Sequence, residues 1–252
     1  MSRNKLLTDI AGRSYKADPD AGICIALPLQ SGNSNPRAWH VENPLFAPVV
    51  SGDFTGSVRE GAPVNFFHVR FNPHGNGTHS ESVGHISADP WPVYKAIGSG
   101  YSVARLISLQ PRQHGSDYYI SREQLEGISL ENCTALIIRT LPNLPSKKTR
   151  DYSGQNPVFV HPEGMQVIAD AGIRHLLIDT PSVDKENDGG KLTAHKIFWN
   201  YPENPRRDAS ITEMVFIEDS CPDGLYLLQI QIPCFELDAA PSRPFIFPLS
   251  PA

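Results

Sequence analysis

Short apolar runs rich in Ile, Val, Leu and Phe recur from Gly22 onward, and most are bounded by Gly, Pro, Asn or Asp. Runs of that length and composition read as β-strands. Strands are therefore expected over 22–30 (GICIALPLQ), 64–72 (VNFFHVRFN), 102–110 (SVARLISLQ), 134–140 (TALIIRT), 173–180 (IRHLLIDT), 210–219 (SITEMVFIED) and 225–237 (LYLLQIQIPCFEL). Three segments have helical punctuation instead. Ser121 and Gln124 match a capping box, with Gly127 placed to end a short helix. The segment 161–172 opens with Pro162 and Glu163 and closes on Gly172, and 192–200 is a further short helix carrying His195. Residues 1–20 read as a loosely ordered arm, the stretch up to Pro48 as a polar connection, and the end of the chain as a proline-rich tail.

Strands with a few short helices between them predict an α/β fold in which the β component dominates. No internal repeat or low-complexity linker divides the 252 residues, so a single domain over 1–252 is expected. Composition agrees: 40% hydrophobic and 19% charged residues describe a globular chain, and 23 prolines favour strands and ordered loops over a helical bundle. A formal charge of -5 gives no footprint for nucleic acid, and the basic runs at Lys147, Lys148, Arg150 and at Arg206, Arg207 read as solvated loop charges. No apolar run approaches the roughly 18 residues of a membrane span, and the N-terminal apolar stretch is too short for a secretory signal. A cytoplasmic protein is the expectation. Cys24, Cys133, Cys221 and Cys234 lack metal or redox spacing and are expected as free thiols, three of them buried beside apolar neighbours.

The segment FNPHGNGTHSESVGHI (71–86) changes the picture. It holds His74, His79, Glu81 and His85 among Gly75, Gly77 and Gly84. On an extended segment residues two apart share a face, so His79 and Glu81 project together. A turn at Gly77-Thr78 can bring His74 round to the same side. Imidazole and carboxylate donors without thiolates suit zinc or manganese in a hydrolytic site, with His85 placed to reach the site or to act beside it in proton transfer. A phosphate-cradling glycine loop is a poorer reading, because Ser80 stands where its third glycine belongs and no helical run follows. No GxSxG elbow is present, so a serine hydrolase is not indicated.

This constellation resembles the cyclase family of metal-dependent hydrolases, which includes kynurenine formamidase and isatin hydrolase. The family signature runs His-x-Gly-Thr-His-x-Asp-x-Pro-x-His. Gly77, Thr78 and His79 match its middle, His85 its last histidine, and Glu81 stands at its Asp. Its first histidine falls on Gly75, one residue after His74, and its proline on Val83. IDTPSVD (178–184), Ala194-His195, ITEMVFI (211–217) and the stretch from Gly224 through Pro241 resemble later family landmarks.

The resemblance implies a swivelling β/β/α fold and one or two zinc or manganese ions held by His74, His79, Glu81, His195 and Glu213, with Glu81 as a possible bridge. It also implies a homodimer or higher homo-oligomer acting on a small molecule. Glu213 is a suspect on its own account, since a buried carboxylate in an apolar strand needs a partner and a cation supplies one. The expected reaction is hydrolysis of an amide-type C–N bond, in a formamide or cyclic amide, by metal-activated hydroxide with His85 as proton shuttle. A lactone or cyclic imide is an alternative bond, and a non-catalytic metal- or ligand-binding module an alternative class. Asp179 and Asp184 are candidates for shaping the loop beside the site. His40, His114, His161 and His175 read as structural. Trp39, Phe46, Trp91 and Tyr94 fit a pocket or the core, with the core preferred.

Overall fold

The computed structural model of the protein describes residues 5–252. At its centre Ser102–Leu109, Ala135–Thr140, His175–Ile178 and Ser210–Glu213 lie side by side as parallel strands. Every residue of Ala135–Thr140 and His175–Ile178 is buried, which explains why these runs are almost continuously apolar rather than alternating. Antiparallel strands extend both edges to give a nine-stranded sheet. Gly224–Gln231, Arg243–Pro248 and Ile23–Cys24 continue it beyond Ser102–Leu109. His79–Ser82 and then Ala239–Pro241 continue it beyond Ser210–Glu213.

Parallel neighbours need crossovers, and here three helices supply them. Arg122–Glu126, Pro162–Asp170 and Thr193–Trp199 pack beside one another on one face of the sheet. Leu125, Met165, Ile168, Phe198 and Trp199 close over Leu136, Ile138, Leu176, Ile178 and Ile211 to form the main core. Complete burial of side chains of this size stabilises the fold by about 1.5–3 kcal/mol each relative to exposure. The opposite face, with Leu106, Ile137 and Leu177, is covered by Ile25, Val93, Ile97 and the strand residues Leu228 and Ile246. The architecture is thus mixed α/β, strand-rich, with four short α-helices among the described residues. The capping box at Ser121 and Gln124 is formed.

Several expectations are corrected. Within the supposed loose arm, Leu6–Ile10 and Arg13–Ala17 form a hairpin that Ser250–Pro251 joins as a third strand, so the two ends of the chain stabilise each other. The proline-rich tail is largely strand, Arg243–Pro248, with its prolines at the strand's margins. Of the run 64–72 only Phe67–Arg70 is strand; it is exposed throughout and pairs with Leu45–Pro48 away from the main sheet. Its β-branched and aromatic content signals pairing but not burial. Cys24 and Cys234 are exposed and only Cys133 and Cys221 buried, because Cys24 lies on an edge strand and Cys234 in the loop after Gly224–Gln231. Lys147 is not a solvated loop charge: its ammonium is buried against the Asp179 carboxylate at 2.8 Å and Thr140 Oγ1 at 3.0 Å. Arg206 likewise donates to the carbonyls of Phe198 and Ile173 at a helix edge.

Candidate metal centre

The site grows from the edge of the sheet, beyond the carboxyl ends of the parallel strands where α/β folds commonly place ligands. In the antiparallel pair of His79–Ser82 with Ser210–Glu213, His79 is directly opposite Glu213 and Glu81 opposite Ile211. His79, Glu81 and Glu213 therefore share one face, as the two-residue spacing predicts for the first two. Gly77 holds the preceding turn at φ 72°, a conformation that a side chain disfavours. Thr78 clamps the turn: its hydroxyl donates to the Met214 carbonyl at 2.6 Å and accepts the Leu27 N–H at 2.9 Å. His79 Nδ1 donates to the Gly77 carbonyl at 3.1 Å, which leaves its Nε2 lone pair facing inward. That Nε2 is buried without a hydrogen-bond partner, 3.4 Å from Glu213 Oε2.

His195 arrives on the helix Thr193–Trp199, whose first turn is capped by Asp184. One Asp184 oxygen accepts the Ala194 N–H at 2.8 Å, and the other accepts the His195 N–H at 3.1 Å and Nδ1 at 2.6 Å. The ring's Nε2 thereby points to Glu81 Oε1, 3.1 Å away. Asp184 sits on the loop leaving the strand His175–Ile178, and Asp179 roots that loop by accepting from Thr140 and Lys147. Further along, the Val183 N–H donates to Glu213 Oε1 at 3.1 Å. His74 and His85 complete the group from the other side. Their rings lie 4.3 Å apart at 34°, His74 Nδ1 being 3.1 Å and His85 Nε2 3.8 Å from Glu81 Oε2.

Four imidazoles thus surround one buried glutamate, and the charge balance is unusual. Burial alone pushes Glu81 up, but electrostatic interaction with the neighbouring His85 and hydrogen bonds from His195 and His74 hold it well below the usual carboxylate range. Burial opposes charge on His195 and His74 as well. Hydrogen bonds to Asp184 and Glu81 raise His195 to about 10, and those to Asp238 and Glu81 raise His74 to about 10. Glu213 is pushed up by burial and by the Glu81 charge. Carboxylates this deep demand positive charge, and a divalent cation meets the demand with one bound group where protons would need several.

The donor set fits such an ion. His79, Glu81 and Glu213 offer ligand atoms within 4.8 Å of one another, and so do His74, Glu81 and His85. Glu81 belongs to both groups. The site opens into a cavity of about 350 Å³ lined by Trp39, Val41, His85, Lys185, Leu192 and His195 among others.

Residues 23–185, more than half of the chain, match the putative cyclase family. The chain belongs to that family. A kynurenine formamidase of Delftia acidovorans is 22% identical over 229 residues, covering 82% of this chain and 95% of the relative. One of Bacillus cereus is 25% identical over 229 residues, covering 90% and 97%. Among cyclase-fold structures, a protein described as a predicted metal-dependent hydrolase from Bacillus stearothermophilus superposes with a TM-score of 0.62 at 18% identity, covering 90% of this chain and 97% of its own. An isatin hydrolase bound to thioisatinate gives 0.61 at 11% identity, covering 92% and 94%. The chain is thus similar to two kynurenine formamidases over most of its length, and it shares its fold with the solved hydrolase structures.

Against the cyclase signature, the structure explains the displaced histidine. A Cβ on Gly75 would lie 2.6 Å from Val41 Cγ2 and 3.1 Å from the Ala38 carbonyl oxygen, so position 75 has no room for a side chain. His74 delivers the imidazole from one residue earlier. At the proline position, Val83 is buried in the main core. All six residues singled out in the sequence (His74, His79, Glu81, His85, His195 and Glu213) meet around this one centre. Asp238 was missed: it accepts from His74 Nε2 at 2.8 Å and lies 3.4 Å from His85 Nδ1. Its sequence signal is only an acid ending an exposed loop before the apolar pair Ala239-Ala240. Among the four aromatics, Trp39 lines the cavity and is 37% exposed, which corrects the core expectation; Phe46, Trp91 and Tyr94 are half-buried elsewhere.

Proposed function

We propose that the protein hydrolyses the amide-type C–N bond of a small substrate, a formamide or a cyclic amide, using zinc or manganese. His79, Glu81, Glu213, His195 and His74 would hold one or two ions. The observation that carries this reading is the pair of donor groups sharing Glu81, together with the buried, unpartnered Nε2 of His79. Once bound, such an ion lowers the pKa of its water from 15.7 to about 7 and polarises a carbonyl.

The chain's own groups do the remainder. His85 borders the cavity with its side chain 30% exposed, whereas His79 and His195 are buried beneath it. Of the two imidazoles on the open side, His74 and His85, it is the more exposed, and it takes the proton of the attacking water and returns it to the leaving nitrogen. Amines leave poorly unprotonated, so this transfer is worth roughly 10²–10⁴-fold in rate. Trp39 and Val41 form an apolar wall that suits an aromatic or alicyclic substrate body. The kynurenine formamidase relatives support the formamide, and the isatin hydrolase fold relatives the cyclic amide. A homo-oligomer is part of the proposal, supported by exposed apolar residues on both faces of the two-stranded extension, Phe67 and Val69 on one and Leu45 on the other; light scattering tests it.

The test is metal content and turnover measured on the same preparations. His85→Ala keeps its metal and loses turnover on formamides and cyclic amides by roughly 10²–10⁴-fold, while Glu213→Ala loses metal. The grouping of His85 with His74 and Glu81 favours a second reading, in which His85 is itself a ligand. In that case His85→Ala loses metal too. Bound metal in the wild type with no turnover on amides, lactones or imides would refute the enzyme and leave a binding module.

A further inference from the structure

Each histidine at this centre has two ring nitrogens, and which one carries the proton decides which can face an ion. Two of the four have evident partners. His79 Nδ1 donates to the Gly77 carbonyl, and His195 Nδ1 to Asp184. The other two, His74 and His85, sit on the open side of the site and share a single partner. Asp238 Oδ2 is 2.8 Å from His74 Nε2 and 3.4 Å from His85 Nδ1. On their opposite edges, His74 Nδ1 and His85 Nε2 both face Glu81 Oε2. The two rings therefore lie tilted against each other between one carboxylate behind and one in front, with ring centroids 4.3 Å apart.

From this geometry we infer that Asp238 is the positioning residue of the site's open half: its carboxylate fixes the ring orientation of His74 and His85 and turns His74 Nδ1 and His85 Nε2 toward Glu81. The inference rests on the metal-site reading above and adds to it a residue outside the signature. The backbone makes the placement rigid. The Asp238 carbonyl accepts the Ser82 N–H at 2.9 Å, one residue from Glu81, and the Leu237 carbonyl accepts the Val93 N–H at 3.0 Å. Ala239 then pairs with Glu81 in the sheet. The same strand pairing that fixes Glu81 thus fixes the group behind its two imidazoles. Without Asp238 the outer nitrogens of both rings lose their partner among the described contacts, and Glu81 alone is left to orient the two rings. The carboxylate also explains how a histidine displaced to position 74 is tolerated: the ring arrives by a different path and is caught from behind.

The test compares wild type, Asp238→Asn and Asp238→Glu, each depleted of metal and titrated with Co²⁺, read by its visible absorption, and with Zn²⁺. Asn keeps the side chain's shape but removes the charge and turns an NH₂ toward the rings. Asp238→Asn is expected to bind about 10–100-fold more weakly, the cost typical of a lost partner behind a ligating histidine. Its cobalt bands shift, kcat falls with KM little changed, and Asp238→Glu recovers part of each. A thermal melt separates these effects from unfolding. In a His74→Ala, His85→Ala background the Asn substitution should change metal affinity no further; an undiminished loss there would overturn the inference. So would wild-type affinity and wild-type cobalt bands in Asp238→Asn. If the wild type itself takes up neither ion, the metal-site reading fails first. An unaffected variant beside a metal-binding wild type sinks the role of Asp238 alone.

Discussion

Gly75→Ala tests why the first histidine of the signature is missing from its place. The backbone at Gly75 is not in the left-handed region, so alanine meets no conformational penalty there, only neighbours. Its methyl would lie 2.6 Å from Val41 Cγ2, 2.8 Å from Val41 Cγ1 and 3.1 Å from the Ala38 oxygen. Overpacking of this kind costs about 1–3 kcal/mol. The stiffer unfolded chain offsets about 0.4–1 kcal/mol of it. A net loss of about 1–2 kcal/mol is expected, which for a chain of this size lowers Tm by about 2–8 °C. Val41→Ala removes the two closest atoms and leaves only the milder Ala38 contact. In that background Gly75→Ala should be neutral or slightly stabilising, so the two substitutions couple by about 1–3 kcal/mol. Urea denaturation of the four proteins measures the cycle. Equal effects of Gly75→Ala in both backgrounds, or a stabilised single variant, would refute the claim that Val41 excludes a side chain from position 75.

Two further outcomes concern buried charge away from the metal centre. His175 is buried against Ser210 Oγ at 2.9 Å; burial first, and then the nearby Arg174 charge, depresses it from 6.5 to about 4. A depressed folded pKa means that the unfolded chain binds the proton first, so stability is full above pH 6.5 and declines as pH falls toward 4, by about 3 kcal/mol at most; urea midpoints at several pH values should show the slope and His175→Gln should flatten it. Lys147→Met leaves Asp179, already pushed up by burial, without its cation, at a cost of about 3–5 kcal/mol near neutrality. Because protonation relieves that penalty, the variant should recover as pH falls toward the raised pKa, and a pH-independent loss would count against the buried pair.

Much of the centre was legible in the residues because its inner half is local. His79 and Glu81 share a face through strand periodicity, and the turn that carries them was marked by Gly77 and Thr78. The strands Ala135–Thr140 and His175–Ile178 and the helix Pro162–Asp170 announced themselves for the same reason: burial on both sides of a strand, or punctuation at a helix end, leaves a short-range pattern. Glu213 and His195 were placed through family resemblance and not through spacing.

Other features depend on which segments become neighbours. Asp238 meets His74 from 164 residues away, only because Ala239–Pro241 pairs with His79–Ser82 at the sheet's edge. Lys147 became a buried partner of Asp179 because the loop after Ala135–Thr140 folds back over the strand end. The hairpin of Leu6–Ile10 with Arg13–Ala17 gains a third strand from the other end of the chain. Side-chain chemistry and local periodicity determined which groups were available and which way the strand residues faced. The pairing of distant backbone segments decided which carboxylate stands behind which histidine, since hydrogen-bonded register, unlike periodicity, leaves no trace within a single segment.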